Sequence, residues 1–311
     1  MSDAPNTSTL HRWLHGWADP KAKLGLDRPA FFTWCSPFLW ELIQEEYKLA
    51  LEGTDWTRSD VVVDVGANIG TFAVCVREYS TQVAGQSCPR VIAVEPTPEA
   101  DKLRQLVSFM PELSVVQCAA GAKDAAEPLA LTYYPAMSVM SSSEEAASGK
   151  VLVSLSFLKW REFAGQLLGK RLHPALRLFW VPLAATLSLW TLPLFLLYGV
   201  VAALRARKSE SIQVPVRSLS SLLDEHLEGP DTVPGLFLKV DVEGAEESVL
   251  AGVEPRWWAK VRTAMIEVHD IDGRYDRIAG VLREAGLSAQ RELSDPEFRA
   301  SGAIRLLFAH R

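Results

Sequence analysis

The sequence predicts an α/β fold: a mixed sheet with helices on both faces, broken by a hydrophobic helical insertion. Three observations carry this. Residues 61–70 read Val-Val-Val-Asp-Val-Gly-Ala-Asn-Ile-Gly with helix-compatible residues at 71–76 behind them, the pattern of a buried parallel strand, a tight loop and a helix start. Two more short apolar runs, 91–94 and 235–240, end in the carboxylates Glu95 and Asp241, as strands do when ligands bind at the carboxyl edge of an open sheet. Finally, residues 178–204 contain no charged side chain, far longer than an ordinary core helix needs.

The first turn is a nucleotide-type binding turn. Gly66 and Gly70 remove Cβ atoms where a ligand would approach the backbone, and the following helix start offers free N–H groups. Asp64, at the strand end, is an acceptor for an amino group. A dinucleotide site wants G-x-G-x-x-G, but position 68 is Asn, giving Gly66-Ala67-Asn68-Ile69-Gly70. That suits a cofactor without a pyrophosphate, such as S-adenosylmethionine, and counts against the rival reading of an NAD-dependent oxidoreductase. Glu95, followed by Pro96, is placed to accept both ribose hydroxyls, so Asp64 and Glu95 would hold the two ends of one nucleoside. A glycine turn that only packs helix on strand is the bland alternative, since a lone glycine motif is weak evidence.

Residues 63–70, Val94-Glu95-Pro96, residues 238–246 (Leu-Lys-Val-Asp-Val-Glu-Gly-Ala-Glu) and residues 265–269 (Met-Ile-Glu-Val-His) together resemble the FkbM-type S-adenosylmethionine-dependent methyltransferases, from about residue 45 to 269. The resemblance implies a class I methyltransferase fold, a Rossmann-like seven-stranded mixed sheet, and most often O-methylation of a natural product or sugar. The expected cofactor-binding residues are Asp64, Gly66, Ala67, Asn68, Gly70, Glu95, Pro96, Ala119 and Asp241.

Composition narrows the classes further. A net charge of −6, from 32 Lys and Arg against 38 Asp and Glu, argues against a dedicated nucleic-acid binder. Cys35, Cys75, Cys88 and Cys118 show no C-x-x-C spacing, and Cys75 and Cys118 lie in apolar runs as buried thiols do. A reduced, cytoplasmic setting is expected, with no secretory leader because the first residues carry charges and no apolar core.

In chain order, residues 1–36 read as an N-terminal arm and residues 37–149 as the first part of the core. Residues 37–51 have the period of an amphipathic helix with an apolar face on the sheet. A helix is expected over 98–110 and a third strand over 114–118, with Ala119, Ala120 and Gly121 leaving room for an adenine ring. The core resumes over residues 211–311. Residues 214–216, with a central proline, suit an edge strand. A helix capped by Ser218 follows, then strands at 235–240 and 263–268, a helix at 275–285, and a closing hairpin of 287–293 with 303–309.

The insertion, residues 150–210, interrupts this order. Strands before and after it should share one sheet, so a single membrane crossing would tear the sheet in two. Dividing the uncharged run near Pro193 gives two helical pieces of about 13 residues, each about 20 Å long at 1.5 Å per residue, short of the roughly 30 Å needed to span a bilayer. A re-entrant or in-plane contact through residues 150–208 is expected, with Trp180, Trp190 and Tyr198 suited to the interface and the flanking basic residues to anionic head groups. The protein would then sit at the inner face of a membrane and take a small apolar or lipid-like acceptor. The competing arrangement buries the run against the core or a second copy, as a greasy cap.

The expected catalytic residues are His269, Asp241, Glu243 and Glu267, all at the carboxyl ends of neighbouring strands. His269 could take a proton from a hydroxyl as it attacks. These four could also gather a divalent ion, but carboxylates at a strand edge more often bind hydroxyls, so no metal is expected. A membrane-associated binding protein with a degenerate pocket is the remaining rival.

Overall fold

The structure is a computed structural model; it describes residues 47, 50–56, 59–83, 85–108, 110–135, 209–292 and 304–311, with helical positions at 186, 190–193, 196, 197 and 200. The N-terminal arm, most of the helix expected over 37–51 and most of the insertion lie outside these residues. Two compact units are present. One takes in the sheet; the other, Thr132–Met140 with Glu144–Glu210, takes in most of the expected insertion.

Within the first unit the chain alternates as the hydrophobic pattern requires. Strand β1 (Val61–Val65) leads into helix α1 (Thr71–Glu78), β2 (Arg90–Val94) into α2 (Ala100–Leu106), and β3 (Leu113–Val116) follows. Short strands β4 (Ala119–Gly121), β5 (Leu129–Tyr133), β6 (Glu210–Val214) and β7 (Val216–Ser218) come next. After them run α3 (Leu219–His226), β8 (Leu236–Val240), α4 (Glu246–Ala251), α5 (Pro255–Trp258), β9 (Val261–His269), α6 (Arg274–Glu284), β10 (Ala289–Glu292) and β11 (Ile304–His310).

Seven strands form one sheet in the order β10-β11-β9-β8-β1-β2-β3. The pairs β9–β8, β8–β1, β1–β2 and β2–β3 are parallel, and β11 is antiparallel to both its neighbours. The mixed seven-stranded sheet is therefore as expected. Chain direction across the sheet reverses between β1 and β8, the switch point beside which α/β sheets bind ligands.

Every residue of β1 and of β8 is buried, the condition for a parallel strand covered on both faces. Alternation sorts their side chains. Val61, Val63, Val65, Leu236, Leu238 and Val240 pack on one side with α3, α4 and α6 residues such as Leu222, Val249 and Ile278. Val62, Val91, Ala93, Phe237, Met265 and Phe308 pack on the other with Phe72, Val76, Leu103 and Leu106. Each large side chain so buried contributes roughly 1.5–3 kcal/mol over an exposed one.

Some local expectations are corrected. The third strand stops at Val116, and Ala119–Gly121 is taken into a separate two-stranded sheet with β7. Pro215, which has no N–H to give, ends β6 and accepts the Ala119 N–H at its carbonyl, 2.8 Å away. Ser218 caps α3, its side chain accepting from the Ser221 N–H at 3.2 Å, as its residue type predicts. Helices α4 and α5 were not foreseen, because segments of 6 and 4 residues are too short to show a period. Among the described residues, no helix is long and apolar enough to cross a membrane.

Candidate functional site

The loop after β1 is tied down on both sides. The N–H groups of Gly66 and Ala67 both donate to the Val94 carbonyl, at 2.9 and 3.2 Å, and the Asp241 N–H donates to the Val65 carbonyl at 3.0 Å. The carboxyl ends of β2, β1 and β8 are thereby drawn together. Gly66 has φ of 75°, and a Cβ there would stand 1.7 Å from the Asp241 carbonyl oxygen. Gly70 has φ of 87°, and a Cβ there would meet Leu103 and Leu106 at 2.6 and 2.5 Å. Close approach of the protein to itself thus already favours glycine at both positions, beside the room for a ligand expected of them. Asn68 holds the left-handed region too, at φ 48°, which Asn tolerates better than most side chains.

Glu95 braces this loop. It accepts from the Asn68 N–H at 2.8 Å, from the Thr97 N–H at 3.0 Å and from the Thr97 hydroxyl. Burial pushes its pKa up, and the Thr97 and Asn68 hydrogen bonds and the Lys239 charge work against that rise. Pro96 continues from it, half-buried. Ala119 stands apart from this group, packed with Leu131 and Val214.

The strand register brings in a residue that sequence reasoning did not single out. Asp64 is the partner of Lys239 across β1 and β8, and by alternation both point to the side of the sheet occupied by Val62 and Phe237. Lys239 Nζ lies 3.1 Å from Asp64 Oδ1 and 3.3 Å from Asp241 Oδ2, and donates a hydrogen bond to the Gly66 carbonyl at 2.9 Å. The Asp64 contact is close in charge but not aligned as a hydrogen bond, and neither Asp64 oxygen has a hydrogen-bond partner. Asp64 is fully buried and Asp241 is half-buried. Asp64 therefore acts on its surroundings through Lys239, and Asp241 is the carboxylate of the pair with exposed surface.

Burial pushes the Asp64 pKa up and the neighbouring ammonium pulls it back. For Lys239 burial acts against the charge, but Asp64 and Asp241 outweigh it and hold the ammonium well above its usual range. Tyr47, half-buried with its ring edge-on to Phe72 at 5.0 Å, is raised well above the ordinary tyrosine value by burial, with Lys239, Asp241 and Asp64 close enough to act on it.

A second group lies at the ends of β8 and β9. His269 Nε2 is 3.1 Å from Glu243 Oε2, and its Nδ1 is 2.7 Å from Glu246 Oε1. Glu246 is fully buried at the start of α4; its Oε1 also accepts the Gly244 N–H at 2.9 Å and its Oε2 pairs with Arg274 at 3.2 Å. Glu243 adopts φ of 49°, a conformation costing of order 1–3 kcal/mol in a non-glycine residue. Burial opposes a charge on His269, yet Glu243 and Glu246 together push its pKa up to about 10. Burial raises Glu243, and the histidine lowers Glu246 despite burial. Glu267, half-buried, brings a carboxylate into the same cluster: ligand atoms of Glu243, Glu267 and His269 all lie within 4.8 Å of one another, close enough to share one cation.

The structure thus gathers Asp64, Gly66, Ala67, Asn68, Gly70, Glu95 and Asp241 at one strand edge, and Glu243, Glu267 and His269 beside them. It adds Lys239 and Glu246. The only signal for Lys239 was a charged residue inside an otherwise apolar strand; Glu246 stood in the quoted motif with no role attached.

Comparison with known proteins gives the family. The family model described as "Methyltransferase FkbM domain" matches residues 64–288. The chain is 30% identical over 268 residues to the 31-O-demethyl-FK506 methyltransferase FkbM of Streptomyces tacrolimicus, covering 84% of this chain and 85% of that protein. It is 27% identical to methyltransferase sdnD of Sordaria araneosa, over 75% of this chain and 76% of that one. It is also 26% identical to methyltransferase 1 of Beauveria bassiana strain ARSEF 2860, over 75% and 74%.

Proposed function

This chain belongs to the FkbM methyltransferase family and is a methyltransferase; from that premise we propose that its donor is S-adenosylmethionine and its acceptor a hydroxyl on an apolar or lipid-linked natural product or sugar. The observation that carries the donor is the charge balance at the strand edge. Three carboxylates, Asp64, Asp241 and Glu95, face one ammonium, Lys239, so the edge favours a cationic ligand. The donor set supports this reading: Glu95, braced by Asn68 and Thr97, places a carboxylate at the end of β2 where vicinal hydroxyls could add to it, and Asp241 presents a half-buried carboxylate to an ammonium. When bound, the cofactor supplies an electrophilic methyl carbon.

The chain's own part is positioning and proton handling. Methyl transfer gains most from holding nucleophile and carbon in line. Glu246 fixes the His269 ring through Nδ1, which leaves Nε2 directed at Glu243. As an acceptor hydroxyl takes Glu243's place at Nε2, the Nε2 proton would leave on Glu243, and the neutral imidazole, still held through Nδ1 by Glu246, can accept the hydroxyl proton as the methyl is transferred. Oxygen as the acceptor atom draws support from the relative named for 31-O-demethyl-FK506.

The test is calorimetric titration of the full chain with S-adenosylmethionine, comparing wild type with Glu95→Ala and Asp241→Asn. Each variant is expected to weaken binding at least about tenfold, as loss of a hydrogen bond to a charged group does. Undiminished affinity in both overturns this assignment of the donor site. Incubation with labelled donor and a lipid-soluble extract then identifies the acceptor.

A further inference from the structure

We propose that the exposed helical positions Trp190, Pro193, Leu196, Leu197 and Val200 belong to a docking surface for an anionic phospholipid bilayer, lying in the plane of the interface. The described positions Thr186, Trp190, Pro193, Leu197 and Val200 are all helical and all exposed. Their spacing of four, three, four and three places them along one side of a helix. Trp190 is 77% exposed, Leu197 60%, Val200 47% and Leu196, beside them, 37%. A helix facing water normally turns charged and polar residues outward. At its described exposed positions this one turns out Thr, Trp, Pro, Leu and Val.

Charge and topology identify the occupant. The sequence has no charged residue from 178 to 204, yet Arg171, His173 and Arg177 precede the run and Arg205, Arg207 and Lys208 follow it. An apolar stripe between two basic clusters complements acyl chains under anionic head groups. A contact with a second copy of this chain would need the apolar stripe alone. The strands on either side, β1 to β3 before and β8 to β11 after, belong to one sheet, so the chain must enter and leave from the same side of any bilayer. A run that returns to the side it left fits a place along the interface, and among the described residues no helix is long and apolar enough to cross a membrane. Trp190 belongs at the interfacial level, where the indole has both apolar and polar surroundings. This surface does not depend on the choice of methyl donor.

The test uses the full chain with sucrose-loaded vesicles of phosphatidylcholine mixed with phosphatidylglycerol, and of phosphatidylcholine alone. Co-sedimentation is expected with the mixed vesicles, weakened by salt. The triple variant Trp190→Ser, Leu197→Ser, Val200→Ser is expected to lose at least about tenfold in vesicle affinity, with S-adenosylmethionine binding and melting temperature at wild-type values. Should that variant melt early, Arg205→Gln with Arg207→Gln and Lys208→Gln provides the second reading, expected to abolish the preference for anionic vesicles. The proposal is overturned if the wild type stays in the supernatant with both vesicle types, or if both variants sediment as the wild type does. It is also overturned if the protein is a lipid-indifferent dimer that the triple variant converts to a monomer.

Discussion

The Lys239 ammonium stands 3.1 Å from Oδ1 of Asp64, each being the register partner of the other on adjacent parallel strands, and both side chains are almost wholly removed from solvent. A charge pair in that setting is held by its neighbours: removing one member leaves the other buried and uncompensated. Lys239→Ala is therefore expected to destabilise the fold by about 3–5 kcal/mol, read by chemical denaturation. Lys239→Arg keeps the charge but not the compact head, so it recovers only part of that loss. Wild-type stability in Lys239→Ala would show the pair to be dispensable.

Gly66 gives a steric test of the same edge. A Cβ at this position would lie 1.7 Å from the backbone oxygen of Asp241, on a residue with φ of 75°. No flexible side chain can move aside there. Gly66→Ala is expected to cost several times the roughly 1 kcal/mol of an ordinary glycine replacement and to separate the β1 and β8 loops. Thermal melting checks the first, and loss of S-adenosylmethionine binding the second.

His269 makes stability and activity depend on pH in opposite directions. Its pKa is raised from 6.5 to about 10 by Glu243 and Glu246 acting against burial. The folded state therefore binds this proton more tightly than the unfolded chain does. That contribution is complete below about pH 6.5, falls as pH rises, and is gone above about pH 10. Denaturation midpoints are expected to fall across this window and to do so less in His269→Gln. Activity needs the neutral ring, so kcat/KM is expected to rise over the same range. Glu246→Gln should move that rise to lower pH; an unmoved profile would remove Glu246 from the positioning of His269.

The cluster of Glu243, Glu267 and His269 makes a test of metal dependence direct. Both ring nitrogens of His269 already face carboxylates, at 3.1 and 2.7 Å, so a cation would have to displace the Glu243 contact. Methyl transfer is expected to be unchanged after dialysis against EDTA. Loss of activity restored by magnesium or manganese would assign the cluster as a divalent site.

Much of the strand edge was legible in the sequence. The runs at β1, β2, β8 and β9 announced themselves because strands covered on both faces are largely apolar, even with Asp64 and Lys239 inside them, and each leads into glycine or a carboxylate. Glu95, Asp241, Glu243 and His269 were legible as polar residues just beyond such runs. The helices α4 and α5 were not, since neither is long enough for a period to emerge. That Ala119–Gly121 forms a strand was not legible, because three small residues after a strand read equally as a gap or as another strand, and only pairing with β7 decides.

What the sequence determined by itself is the fold class and the family, because hydrophobic period and turn chemistry are local and survive without contacts. What the tertiary structure decided is which polar groups meet. Lys239 lies 175 positions beyond Asp64 in the chain and becomes its partner only through the register of β1 on β8. Glu246 becomes the brace of His269 only because α4 starts under the end of β9. Side-chain direction in a strand alternates with every residue, so a register of β8 on β1 one step different would have turned Lys239 away from Asp64 to the opposite face.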